Sequence, residues 1–154
     1  MQDKLLFQYC QKIVVFSQDF KSVLLAKRKG EADYDGVYSF IGGKMETTDS
    51  GFVNGLTREK NEEAGEGFQI LINPQITFNE MFVKKDGNSM VLPHYFAIYD
   101  SGAVVINDEY SDYAWVAVSE LATFQPLIPT IPPIVDKMLA NLSLLNNPEN
   151  LIKI

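Results

Sequence analysis

Between Phe40 and Glu66 the chain reads FIGGKMETTDSGFVNGLTREKNEEAGE. This stretch opens on the end of a strand-like run, Val37 to Ile41, and passes through the paired glycines Gly42-Gly43. Glycines at such a junction let backbone amides or carbonyls approach an ion or a phosphate closely. From Asp49 to Ala64 the pattern predicts a helix, with Asp49 or Ser50 capping its N-terminus and Gly65 in a left-handed position at its end. At about 100° per residue, Glu59, Glu62 and Glu63 share one stripe of that helix, and Glu66 joins them if the helix persists. Arg58 stands four residues before Glu62 and can reach it.

The stripe is an unfavourable place for carboxylates. Like charges three and four residues apart repel by roughly a few tenths of a kcal/mol per pair. The last turn of a helix also favours cations, so Glu62 and Glu63 oppose the macrodipole. A hard divalent cation takes convergent oxygen ligands and would reverse the sign of this local field. An E-x-x-E-E stretch by itself is most often a solvated helix face. The strand, the Gly-Gly junction and the short loop before the helix make the constellation specific.

Composition narrows the partners. The chain has 154 residues, 46% hydrophobic and 21% charged, which is enough to bury a core without disulfides or a structural metal. With 13 Lys+Arg against 20 Asp+Glu the formal net charge is −7, which disfavours a nucleic-acid polymer or an anionic membrane surface as partner. An anionic substrate would need local neutralisation, for which a divalent cation is the natural agent. The single cysteine, Cys10, permits no internal disulfide and reads as a small hydrophobe. The start Met1-Gln2-Asp3-Lys4 lacks a basic leader region, and Gln8 interrupts Leu5-Leu6-Phe7. No apolar run is long enough to span a bilayer, so the expected location is cytoplasmic.

Ile13–Phe16 and Ser22–Arg28 read as a hairpin, followed by a polar loop over residues 29–36. Residues 68–84 hold strand material interrupted by Asn73-Pro74, Asp86-Gly87 marks a hairpin turn, and Met90–Tyr99 returns as a strand in which Pro93 implies an edge or a bulge. Tyr113–Val118 is a further strand, and Ser119-Glu120-Leu121 starts a short helix. A last helix begins near Pro132-Pro133 and carries the core stripe Val135, Met138, Leu139 and Leu142. The order strands, helix, strands, helix points to an α/β fold, a sandwich on a mixed sheet.

Residues Gly43–Glu66 resemble the box of the Nudix hydrolase family, G-x5-E-x7-R-E-U-x-E-E-x-G-U, in which U is a bulky apolar residue. Gly43, Arg58, Glu59, Glu62, Glu63 and Gly65 match it, and Glu46 matches an acidic residue often found early in the loop. Upstream Leu24–Arg28 and Phe40–Gly43, and downstream Glu109, Trp115 and Ser119–Leu121, also resemble the family, so the likeness spans most of residues 13–121. The box is atypical: Asp49 stands for its first Glu, one residue further from Arg58 than the pattern, and Lys60 and Glu66 occupy apolar positions.

The resemblance implies one MutT-like Nudix domain over residues 1–154, an α/β/α sandwich around a mixed sheet. It implies Mg2+-dependent hydrolysis, with Mn2+ as an alternative ion, of a pyrophosphate bond in a nucleoside diphosphate derivative. Markers of the ADP-ribose, dinucleoside polyphosphate and NADH branches are absent, which leaves a nucleoside triphosphate cleaved to monophosphate and pyrophosphate. By matching positions Glu59, Glu62, Glu63 and the carbonyl of Gly42 hold the metal. Arg58 orients a glutamate, most plausibly Glu62, and Glu109 binds metal or helps activate water, with Asp108 as the rival for that part. Arg28, one of only two arginines, is a candidate for substrate phosphate or base, against a surface role. Tyr34, Tyr38, Phe82 and Tyr95 are candidates to stack on a base. His94 reads as structural. The expected partner is a small-molecule nucleotide, with room for a homodimer. The alternative is a non-catalytic nucleotide-binding or regulatory module.

Overall fold

The computed structural model describes residues 3–154; Met1 and Gln2, part of the N-terminal reading above, lie outside the described residues. The strands are β1 (Phe7–Tyr9), β2 (Lys12–Phe16), β3 (Ser22–Arg28), β4 (Tyr38–Ser39), β5 (Gln69–Val83), β6 (Ser89–Ser101), β7 (Tyr110–Ala117) and β8 (Ile152–Lys153). The helices are α1 (Phe52–Ala64), α2 (Ile131–Ala140) and α3 (Leu142–Leu145), with a 3-10 turn at Val118–Glu120. The sheet order is β4-β3-β2-β6-β5-β8, with β1 beside β6 and β7 beside β3. β1 and β2 run parallel to β6 and the remaining pairs are antiparallel, so the sheet is mixed.

The unbroken apolar run of β2 follows from burial on both faces. Val14 and Phe16 point to a core shared with α2 and α3, where Ile134, Val135, Met138 and Leu145 pack. Ile13 and Val15 point to a second core, closed by Leu56 and Ala64 of α1. The expected α/β/α sandwich is therefore observed.

Local expectations need four corrections. Helix α1 begins at Phe52 rather than Asp49, and its cap residue is Gly51 with no side-chain bond. Asn73-Pro74 does not interrupt β5; the register slips between Ile72 and Thr77. Buried Asn73 steadies that bulge by donating Nδ2 to Leu145 O at 3.0 Å. Pro93 lies in an interior strand. β1 pairs with β6 as far as Val91 and β2 resumes at His94, so Pro93 faces the break at Cys10–Gln11, where no ladder donor is required. The final helix is two helices, since α2 stops at Ala140 and Leu142 opens α3. Among the described residues no helix is long and apolar enough to cross a membrane.

Candidate active site

The Gly-Gly junction lets α1 lie directly against backbone. Gly42 has φ 125°, and a Cβ there would meet Gln11 O at 2.0 Å. A Cβ on Gly43 would meet Glu59 Oε2 at 2.5 Å. With neither Cβ present, the Gly42 N–H donates to Glu63 Oε2. The Tyr110 hydroxyl, entering from β7, donates to the same oxygen at 2.9 Å.

Arg58 ties the loop to the helix. Its Nε and Nη2 donate to Asp49 Oδ1 and Oδ2 at 2.9 and 3.0 Å, a two-pronged pairing. Nη1 donates to Glu59 Oε1 at 2.9 Å and to Glu62 Oε2 at 3.2 Å, and Nη2 also reaches Lys44 O at 3.0 Å. Glu46 stands 3.5 Å away. The expectation that Arg58 serves chiefly Glu62 is thus refined. Its fork is filled first by Asp49, which explains why Asp49 does not cap the helix.

Electrostatics divide the acids. Hydrogen bonds from Arg58 hold the Asp49 carboxyl down at about 2. Burial pushes Glu63 up to about 8, although Lys12, the Gly42 amide and Tyr110 all pull the other way. Burial also raises Glu59, against the pull of Arg58. Unlike Asp49, which uses both oxygens, Glu59, Glu62 and Glu63 are each bonded through one, leaving Glu59 Oε2, Glu62 Oε1 and Glu63 Oε1 without a hydrogen-bond partner among the described residues. Lys12 Nζ lies 3.3 Å from Gly42 O. Among the described residues no three acidic, His or Cys side chains close into a ready-made metal cage; Arg58 Nη1 bridges Glu59 and Glu62, while Glu63 turns to the Gly42 amide.

A cavity of about 640 Å3 adjoins this cluster, with Glu59, Glu62, Glu63 and Gly42 on its wall. Glu109 lines it and Asp108 does not. Arg28 also lines it, donating Nη2 to Asp33 O at 3.3 Å and pairing with Glu31 at 3.4 Å. Tyr34 and Phe82 meet on the same wall with ring centroids 5.7 Å apart. Tyr38 packs instead on Phe124, and Tyr95 is buried with its hydroxyl 2.9 Å from that of Tyr9. His94 is buried with Nδ1 against Leu92 O and Phe78 O, and burial lowers its pKa to about 4. Cys10 is buried on the cavity floor.

Sequence reasoning missed Lys12 and Tyr110, which lie outside the box and are delivered to Glu63 only by β2 and β7. It also missed how Lys60 is accommodated. Its stem fills an apolar position and Nζ donates to Phe68 O at 2.8 Å and to Gly65 O at 3.4 Å, serving carbonyls at the helix end. Glu66 lies beyond the end of α1, exposed, so it does not join the stripe.

The NUDIX domain family model matches residues 9–142. The chain belongs to this family of hydrolases, which act on pyrophosphate linkages in nucleoside diphosphate derivatives. No curated protein sequence matches the chain. Among solved structures it is similar to a MutT protein from Methanosarcina mazei, with TM-score 0.72 and 16% identity over 92% of this chain and 99% of that one. It is also similar to an Ap4A hydrolase from C. elegans, with TM-score 0.71 and 14% identity over 90% and 99% of the two chains. A third likeness is to the NUDIX domain of Shewanella oneidensis NrtR, solved with ADP ribose, with TM-score 0.69 and 19% identity over 89% of each.

Proposed function

We propose that this chain hydrolyses a nucleoside triphosphate to the monophosphate and pyrophosphate, using Mg2+, with Mn2+ able to replace it. The observation that supports this most is the contact of Glu59 and Glu63 with the Gly42-Gly43 backbone at the wall of a cavity of about 640 Å3. The donor set fits a hard cation: three carboxylates with one oxygen free on each, beside the carbonyl of Gly42. When bound, such an ion neutralises the substrate's phosphates and lowers the pKa of a water.

On this reading Glu59, Glu62, Glu63 and Gly42 O hold the ion. Arg58 keeps Glu59 and Glu62 oriented while Asp49 holds Arg58. Tyr110 fixes the rotamer of Glu63. Glu59 and Glu109 are the candidate bases, and Glu109 faces the cavity from the loop before β7. Arg28 presents its guanidinium to substrate phosphate or base, and Tyr34 with Phe82 offers aromatic surface for a base. The whole of residues 1–154 acts as one domain, in the cytoplasm, on a small nucleotide.

A second reading, a nucleotide-binding module without turnover, draws on the NrtR domain solved with ADP ribose and on the altered box residues Asp49 and Lys60. Against it stands buried Glu63, whose charge is unfavourable without a counter-ion. The test is turnover over nucleoside triphosphates, sugar nucleotides and dinucleotides with Mg2+, repeated on variants. Glu59→Gln and Glu63→Gln should each lower kcat by orders of magnitude while remaining folded. Glu109→Gln should lower kcat about 10²- to 10⁴-fold with little change in KM, and Asp108→Asn should do little. Activity of both helix variants within about threefold of the parent would return the stripe to a solvated face.

A further inference from the structure

Among the described residues no strand lies beside the outer edge of β5 between Thr77 and Val83. β6 occupies the inner edge, and β8 reaches only Leu71 and Ile72. The direction of its backbone groups follows from the hairpin. Lys84 N–H donates inward to Asn88 O, and the register is unbroken from Thr77 to Val83. Antiparallel ladders alternate every residue, so Asn79, Met81 and Val83 turn their N–H and C=O groups outward. The Lys85 N–H is taken by Asp33 Oδ1 at 3.2 Å, so the free edge ends at Val83. Met81 is 60% exposed and Val83 53% exposed. Glu80 is the only charged side chain on this edge, and among the described residues it makes no ion pair. An unpaired apolar edge without Lys or Pro is a template for another strand.

We infer that the occupant is a second copy of this chain, its β5 edge added antiparallel across a two-fold axis. A two-fold contact requires that if one residue faces another, the reverse holds too. Outward backbone groups must also face outward ones. Four registers near the exposed residues satisfy both conditions, centred on Glu80, Met81, Phe82 or Val83. Centring on Glu80 sets that carboxylate against its own copy, and centring on Val83 sets it against the partner's Asp86; like charges directly opposite destabilise a ladder. Centring on Met81 leaves Glu80 facing the partner's Phe82. Centring on Phe82 sets Glu80 against the partner's Lys84 at both ends, where that ammonium, 3.6 Å from Asp86 of its own chain, lies between two carboxylates, and Met81 against the partner's Val83. That register alone supplies charge complementarity and covers the exposed apolar pair, with four backbone hydrogen bonds between Met81 and Val83 of the two copies. Because Glu80, Phe82 and Lys84 also line the cavity, the contact brings the partner's Lys84 to the cavity rim.

The inference stands apart from the proposed chemistry, since its readout is mass. Sedimentation velocity on the full chain should give a species of twice 17.3 kDa. Glu80→Lys sets Lys against Lys at both ends and should weaken the dimer about tenfold or more, and Lys84→Glu should do the same with Glu against Glu. The double variant exchanges the charges and should return dimerisation to within about threefold of the parent. A parent chain that stays monomeric at about 100 μM, or a dimer indifferent to both single variants, overturns the inference. So does a double variant, folded by circular dichroism, that stays as weak as the singles.

Discussion

Replacing Glu63 by Gln should stabilise the metal-free protein at neutral pH. The carboxyl is buried, and its pKa is raised from 4.5 to about 8. An acid whose folded pKa lies above its unfolded value costs stability as pH rises, because the unfolded chain releases its proton first. The loss begins near pH 4.5, grows by about 1.4 kcal/mol per pH unit and reaches about 3 kcal/mol by pH 7. Gln carries no charge, and its Oε1 can still accept from the Gly42 amide and the Tyr110 hydroxyl. In EDTA at pH 7 the variant should therefore be more stable by up to about 3 kcal/mol, a rise in Tm of roughly 6–10 °C. At pH 4.5 the gain should vanish. Millimolar Mg2+ should raise the Tm of the parent by linkage and leave the variant almost unmoved. Thermal melts at pH 4.5, 6, 7 and 8, with EDTA and with Mg2+, supply the whole comparison. A variant no more stable than its parent at pH 7, or one whose advantage persists unchanged at pH 4.5, would show that the buried Glu63 charge is not what costs stability.

Three further outcomes follow from the geometry. His94 has its pKa depressed to about 4, so its contribution is intact above about pH 6.5 and is lost as pH falls through 4; urea titrations should show the parent losing up to about 3 kcal/mol more than His94→Gln across that window, and parallel profiles would remove His94 as the cause. Gly42→Ala drives a Cβ into a backbone oxygen and should cost at least about 3 kcal/mol, whereas Gly43→Ala first meets the end of the Glu59 side chain, displaces it from Arg58 and should reduce turnover more than stability. Lys60→Ala empties an apolar slot and abandons the carbonyls of Phe68 and Gly65, which should cost about 2–4 kcal/mol by chemical denaturation.

The layers of the fold and the acidic stripe were legible because they rest on short-range pattern. The IVVF run of β2, the Gly-Gly junction and the spacing of Glu59, Glu62 and Glu63 each carry their meaning within a few residues. What escaped depends on contacts distant in sequence. Asp49 looks like a helix cap until Arg58, nine residues on, claims both of its oxygens. Pro93 looks like an edge residue until β1 and β2 are seen to break opposite it. Lys60 looks misplaced until the chain returns Phe68 O to within 2.8 Å of its ammonium. Lys12 and Tyr110 belong to no motif at all, and only the assembly of β2 and β7 around α1 brings them to Glu63. The polar partners of a buried acid are chosen by the fold, and local sequence carries little trace of them.

Phosphorus NMR of nucleoside triphosphates incubated with the protein and Mg2+ reads directly which phosphoric anhydride bond is cleaved. Equal amounts of monophosphate and pyrophosphate should form, with no diphosphate or free phosphate, and the reaction should be lost in EDTA and in Glu59→Gln. Release of diphosphate and phosphate, or unchanged spectra over the whole nucleotide panel with Mg2+ and with Mn2+, would contradict the proposed reaction.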